Sequence, residues 1–177
     1  MAESRVRPED VLEYTSPCND FLCSLEDNVF DFKFGSFRVR DMDSGTVLFD
    51  IERDYELDTE ETRYIHYSFA SEFLELQTIG TTLFFQIGER PVQNLRMIER
   101  HYFRDRLLNT YDFAVNFCIP FSTNTWEAIY SLPAFTPDEK TEIIQSPYET
   151  KSDSFFFVED VLIMHKRAEY DYSGGEY

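Results

Sequence analysis

The feature that most constrains the fold of this chain is an alternation of aromatic and polar residues. Phe30, Phe32 and Phe34 alternate with Asp31 and Lys33, and similar runs recur along most of the sequence. Successive side chains of a β-strand point to opposite faces, so a period of two predicts strands with one buried and one solvated face. Because these runs do not alternate with long helical patterns, the sequence favours an all-β fold over parallel α/β.

Eight or nine strands, mostly antiparallel, are predicted from this alternation. They cover residues 30–40, 47–51, 63–69, 73–76, 81–87, 95–103, 111–119, 155–158 and 161–172. The alternation slips at Gly35-Ser36, which predicts a β-bulge, and Asp43-Ser44-Gly45 predicts a turn. The acidic stretch 52–61 is predicted to be a loop. Strands of this number and spacing are typical of a β-sandwich.

Two short helices are predicted to interrupt the strands. One covers residues 124–130, and the other begins at Thr136-Pro137-Asp138-Glu139, a capping box with proline at the first helical position. A further short helix could begin at Pro8. Residues 1–10 are polar and expected to be flexible, which leaves residues 11–177 as a single domain.

Charge and composition exclude several classes of protein. The chain has 34 acidic against 16 basic residues, a net charge of -18, so nucleic-acid binding and electrostatic membrane docking are poor hypotheses. No apolar run approaches the roughly 20 residues that span a bilayer, and the N-terminus does not resemble a signal peptide. Three cysteines without a secretory signal predict reduced thiols in a cytoplasmic protein.

The search for catalytic motifs is mostly negative. The sequence has no glycine-rich phosphate loop, no zinc-protease helix motif and no nucleophile elbow. Cys18 and Cys23 form at most half of a zinc site and are better explained as free thiols. Glu99 and His101 share a strand face and could form an acid–base dyad, although local ion pairing is the stronger interpretation. We therefore expect no enzyme activity, no cofactor and no metal.

The aromatic faces allow two interpretations. They can fill the core of a sandwich completely, or they can line a cavity between the sheets, and an acyl chain suits such an apolar slot. Burying a C14 chain yields roughly 10 kcal/mol at about 0.8 kcal/mol per methylene. A bilayer holds one myristoyl group with only about 5.5 kcal/mol, so a closed cavity could compete with a membrane.

Several longer strings carry a resemblance to a known family. They are Arg40–Phe49, Arg96–Phe103, Tyr111–Phe113, Phe117–Pro120, Pro147–Thr150, Ser152–Phe155 and Tyr170–Gly174. Together they resemble the GMP-phosphodiesterase delta-subunit family. Within it they are more similar to the myristoyl-binding branch, the uncoordinated-119 lipid-binding chaperones, than to the prenyl-binding subunit. The similarity extends from about residue 8 to residue 174.

The resemblance implies an immunoglobulin-like β-sandwich, similar to the Rho GDP-dissociation inhibitor, with an acyl slot between the sheets. It implies a carrier of N-myristoylated proteins, such as G-protein alpha subunits and ciliary proteins. It also implies transport through the cytoplasm toward the cilium or flagellum. Release is implied to follow binding of a GTP-loaded Arf-like GTPase outside the sandwich. A prenyl carrier of the same fold and a scaffold that binds no lipid remain alternatives.

The resemblance also assigns pocket positions. They fall on Phe34, Tyr67, Glu99, Tyr111, Phe156 and Tyr170. Phe156 stands where the family has a tyrosine, Ala128 where it has a histidine, and Leu132 where it has a phenylalanine, so cargo preference is expected to differ. Glu99 is expected to accept hydrogen bonds from the first peptide amides after the acyl group. The alternative is that Glu99 forms an internal ion pair with a neighbouring arginine.

Overall fold

Ten strands and two short α-helices make up most of the computed structural model, which describes residues 5–174. Residues 1–4 of the predicted flexible segment and residues 175–177 of the predicted domain lie outside the described residues. The helices are α1 (Pro8–Val11) and α2 (Pro137–Ile144), and 3₁₀ turns cover Leu25–Asp27 and Ser71–Glu75. The strands are β1 (Lys33–Asp41), β2 (Val47–Ile51), β3 (Glu56–Leu57), β4 (Tyr64–Ser68), β5 (Thr78–Gln86), β6 (Val92–Phe103), β7 (Arg106–Cys118), β8 (Thr123–Ser131), β9 (Thr150–Val158) and β10 (Val161–Asp171).

The strands form two sheets that pack face to face. The first sheet has the order β2-β1-β5-β8, with β3 paired to one end of β1. The second sheet has the order β4-β10-β9-β6-β7. Neighbouring strands are antiparallel except β4 and β10, which run parallel. The predicted all-β, immunoglobulin-like sandwich with two short helices is thereby confirmed.

Local signals in the first hairpin predicted its geometry well. The β1–β5 register shifts between Phe34 and Phe37, which confirms the bulge expected at Gly35-Ser36. Gly45 lies in the turn after β1 with a φ of 76°, a conformation that glycine adopts without steric cost. The strand begins at Lys33, later than the alternation predicts, because Phe30 and Phe32 belong to the loop that precedes it. The predicted acidic loop contains the two-residue strand β3.

Two predicted elements were wrong, and strand pairing explains the first of them. Residues 124–130 form strand β8 rather than a helix, because pairing with β5 buries Trp126, Ala128 and Tyr130 on one face. Residues 73–76 were expected to be a strand, but the chain there forms the 3₁₀ turn Ser71–Glu75. In contrast, α2 begins after Thr136 as the capping box predicts.

The N-terminal segment covers the outer face of the second sheet. Val11 is fully buried with Ile98, Phe155 and Phe157, and Arg100 donates to the carbonyl oxygen of residue 14 at 2.6 Å. The expected boundary at residue 10 falls inside α1, and the division into a flexible segment and one domain stays a prediction. The N-terminal segment therefore packs on the outer face of the second sheet and leaves its inner face toward the first sheet.

Candidate functional site

A cavity with two lobes lies between the sheets. The larger lobe, of about 440 Å³, reaches the exposed edge between β2 and β4. The smaller lobe, of about 120 Å³, extends toward α2 and the chain that precedes it. The lobes meet at a waist, defined as the residues that line both: Phe37, Tyr67, Thr81, Glu99, Tyr130 and Tyr170. The larger lobe alone falls in the size range of small-molecule pockets, about 300–1,000 Å³.

The far wall of the larger lobe is apolar and aromatic. Leu83, Met97, Trp126 and Phe156 line it, and each comes from a different strand. Phe34 lies behind this wall, 2% exposed, with its ring centroid 6.0 Å from that of Phe156. Rings packed on rings at these distances are rigid. The wall therefore does not collapse into the lobe, and it offers an apolar chain a fixed surface.

Glu99 is the acidic group of the waist, and the protein keeps it charged. Ser154 donates to its carboxylate at 2.8 Å, Tyr130 donates from its hydroxyl, and the His101 Nε2 lies 3.4 Å away. Burial raises the pKa of Glu99, but these hydrogen bonds and the nearby imidazole outweigh burial, so its pKa is lowered overall. The result is a carboxylate, 16% exposed, that faces the cavity as an acceptor.

The arginines near Glu99 do not pair with it. Arg96 forms a bidentate pair with Asp112, with a shortest distance of 2.6 Å. Arg100 points to the outer face of the sheet, where Thr110 accepts from it at 2.6 Å. The alternative of an internal ion pair between Glu99 and a neighbouring arginine is therefore wrong.

Tyrosines form half of the waist and part of the wall of the smaller lobe. Tyr67 and Tyr170 stack with ring centroids 5.3 Å apart. Tyr111 lines the smaller lobe and donates to the carbonyl oxygen of Ser131 at 3.0 Å. Burial raises the pKa of all three phenols. These hydroxyls are therefore neutral near pH 7 and can both donate and accept.

The structure brings five of the six expected pocket residues onto the cavity lining: Tyr67, Glu99, Tyr111, Phe156 and Tyr170. The sixth, Phe34, forms a second layer behind Phe156. The two other departures from the family pattern also lie on the lining. Ala128 faces the larger lobe and Leu132 the smaller one, and both are smaller than the residues expected there. These substitutions leave more room inside the cavity.

Sequence reasoning missed several polar residues of the lining, among them Tyr130 and Lys166. Tyr130 was overlooked because its segment was predicted to be helical. Lys166 lines the larger lobe, 3.2 Å from Asp58, with its ammonium group 3.7 Å from the centroid of the Phe34 ring. The alternation of Met164, Lys166 and Ala168 along β10 could have placed this lysine on the inner face.

One cluster among residues 5–174 has ligand atoms close enough to hold a metal. Atoms of Cys18, Asp153 and His165 lie within 4.8 Å of one another, outside the cavity. The carboxylate already accepts from the amide of Cys18 at 2.9 Å and contacts His165 at 2.8 Å, while the other imidazole nitrogen accepts from Leu22. Burial raises the pKa of the Cys18 thiol to about 12. The cluster therefore fixes the N-terminal segment to the sheet.

Comparisons with known proteins agree with this geometry. The family described as "GMP-PDE, delta subunit" matches residues 26–172. The chain is 45% identical to protein unc-119 homolog B of Danio rerio over 97% of its length and 75% of that relative. Identity to the Homo sapiens homolog B is also 45%, over 99% of this chain and 75% of the relative. Protein unc-119 of Caenorhabditis elegans is 42% identical over 97% of this chain and 82% of the relative.

Neither α-helix among residues 5–174 has the length and the apolar composition of a membrane span.

Proposed function

The chain belongs to the GMP-PDE delta-subunit family, and from that premise we propose that it carries N-myristoylated proteins, with the acyl group held between its two sheets. Membership makes it a lipid-binding, trafficking-type protein that binds lipidated cargo, and not an enzyme. Glu99 and His101 are accordingly assigned to binding and not to acid–base chemistry. What we propose beyond family membership is that the lipid is a myristoyl group, where the cargo is delivered, and how it is released.

The single observation that carries the proposal is a charged carboxylate at the junction of two lobes of unequal size. The larger lobe has the volume and the apolar wall to take the acyl chain, and the smaller lobe is left for the first peptide residues. An N-acylated glycine lies where chain and peptide meet. Its amide N–H would therefore face Glu99, which accepts hydrogen bonds. A thioether-linked prenyl group has no amide at this junction, which favours the acyl ligand.

Magnitudes support transfer from a membrane to this cavity. Transfer of a myristoyl chain from water is worth roughly 10 kcal/mol, and a bilayer retains about half of that as binding free energy. A hydrogen bond to a charged acceptor adds about 1.5–3 kcal/mol that a bilayer does not supply. The net charge of -18 also repels anionic lipid, so the loaded carrier stays off the membrane.

Transport and release follow from family resemblance. We assign the protein to the cytoplasm, with delivery toward the cilium or flagellum of cargo such as G-protein alpha subunits and ciliary proteins. A GTP-bound Arf-like GTPase on the outside of the sandwich would discharge the cargo. The topology permits such a step, since no strand pairs across the two sheets in residues 5–174. A shift of one sheet relative to the other would change the cavity without breaking a ladder.

Native mass spectrometry with a myristoyl-glycyl peptide and a farnesylated peptide tests the proposal. We expect one myristoyl peptide per chain, and discharge after a GTP-loaded Arf-like GTPase is added. Glu99→Ala should weaken binding by about 10- to 100-fold, the value of a hydrogen bond to a charged group. The exposed Glu127→Ala is the matched control and should bind like the wild type. Preference for the farnesyl peptide would make the chain a prenyl carrier, and capture of neither would make it a scaffold.

A further inference from the structure

Thr150 lines the smaller lobe and carries an unsatisfied hydroxyl. The residue is 4% exposed, lines that lobe, and begins strand β9. In residues 5–174, its Oγ1 is the one buried side-chain nitrogen or oxygen atom without a hydrogen-bond partner. An unpaired buried hydroxyl costs stability, and native proteins keep few of them. A group that destabilises the free protein and belongs to a residue on a cavity lining is the kind of group that a ligand completes.

The hydroxyl is the last member of a polar row on the inner face of β9. Ser154 donates to Glu99 at 2.8 Å, and Ser152 bonds to the hydroxyl of Tyr170 at 2.9 Å. Thr150 follows at the same spacing of two residues, opposite Phe103 of β6. The first two members of the row are therefore paired within the protein, and the third has its hydrogen-bonding capacity free.

We propose that Thr150 binds the main chain of the cargo peptide a few residues beyond the acylated glycine. The inference rests on the proposed function, in which Glu99 takes the glycine amide. Glu99 is opposite Ser154, four residues from Thr150 along β9, which is about 13 Å in an extended strand. An extended peptide that follows β9 covers the same distance in about four residues. Thr150 therefore contacts residues three to five of the cargo.

The hydroxyl suits a peptide main chain because it can donate to a carbonyl oxygen or accept from an amide. It does not distinguish side chains, so it adds affinity to any N-terminus that is long enough. Two other polar side chains that flank the lobe, Asn109 and Tyr111, are already engaged. Asn109 donates to the hydroxyl of Tyr111 and to the carbonyl oxygen of Ser131, at 3.2 and 3.1 Å. Thr150 thus selects for peptide length after the lipid.

A ligand-length series tests the inference by calorimetry. Myristoyl-glycinamide and a myristoyl pentapeptide of glycine and alanine are titrated into the wild type, Thr150→Val and Thr125→Val. Valine has nearly the shape of threonine, and Thr125 is exposed on the outer face of β8, so the second variant is the control. We expect Thr150→Val to bind the pentapeptide about fivefold more weakly and the glycinamide as tightly as the wild type.

The free protein gives a second, independent readout. Because valine removes an unpaired buried hydroxyl, Thr150→Val should raise the urea midpoint while it lowers peptide affinity. A lowered midpoint, or equal effects on both ligands, would overturn the assignment and leave the carrier function standing. Failure of the wild type to bind either myristoyl ligand would instead reject the proposed function itself, and the role of Thr150 with it.

Discussion

The buried pair of Lys166 and Asp58 yields an asymmetric prediction for stability. Their side chains are 13% and 10% exposed, and Nζ lies 3.2 Å from the carboxylate. Lys166 is fixed on the inner face of β10, whereas Asp58 belongs to the connection between β3 and β4. Removal of the aspartate leaves a largely buried ammonium group in the wall of the larger lobe without its ion-pair partner. Removal of the lysine leaves a carboxylate that still accepts from Thr62 at 3.2 Å and can turn outward.

The magnitudes follow from this difference. Asp58→Ala should cost about 3 kcal/mol, near the lower end of the range for breaking a buried pair. Lys166→Met, which replaces the cation with an apolar side chain of similar length, should change stability by less than about 1 kcal/mol. With a urea m-value of about 2 kcal/mol/M, the first variant should lower the urea midpoint by about 1.5 M.

Urea unfolding followed by the fluorescence of Trp126 measures both variants. Glu75→Ala breaks the exposed pair with Lys140 and is the control, with an expected cost below about 1 kcal/mol. Burial lowers the pKa of Lys166, and Asp58 partly opposes that shift. The unfolded chain therefore binds more protons just below pH 10.5, and the defect of Asp58→Ala should shrink as the pH rises toward that value. A loss in Lys166→Met as large as in Asp58→Ala would refute the reasoning.

Three further predictions follow from other buried groups. Asp153→Ala leaves the Nε2 of His165 and the backbone amide of Cys18 unpaired, so it should cost about 3 kcal/mol and expose the N-terminal segment to proteolysis. An unchanged urea midpoint would contradict this. Burial raises the pKa of Tyr130 and Tyr170, so the stability they contribute is intact below pH 10 and should be lost above it, together with a cooperative rise in phenolate absorbance. The lowered pKa of Glu99 means that myristoyl-peptide affinity should hold between pH 7 and 5 and fall only below about 4.5, as measured by calorimetry; a loss near pH 6 would assign the titration to another group.

Local patterns predicted the parts of the fold that depend on neighbouring residues. The capping box at Thr136 and the turn at Gly45 involve contacts within a few residues, so they can be recognised from the sequence. The segment around Trp126 could not, because its strand conformation depends on hydrogen bonds to β5, about 40 residues earlier in the chain. Four of its seven residues, Thr125, Trp126, Ile129 and Tyr130, are common in strands, so the helix prediction went against propensity as well as against the pairing with β5.

The candidate site was likewise predictable from the sequence only in part. The alternation along β6 put Glu99 and His101 on one face, and family resemblance selected Tyr67, Tyr111 and Tyr170 as pocket residues. The alternation also puts Arg100 on the face opposite Glu99. The partner of Arg100 there, the carbonyl oxygen of residue 14, belongs to the N-terminal segment. No pattern in the sequence specifies such a contact between distant parts of the chain.

The sequence by itself determined which side chains face inward, because the period of two fixes the faces of each strand. It also determined the acidic surface, since net charge depends on composition alone. Only the tertiary structure decided that the inner faces leave a two-lobed cavity with Glu99 at its waist and Thr150 unpaired. The physical reason is that a cavity is a difference between the volume two sheets enclose and the volume their side chains fill. That difference depends on how the sheets are spaced and packed, and alternation carries no information about it.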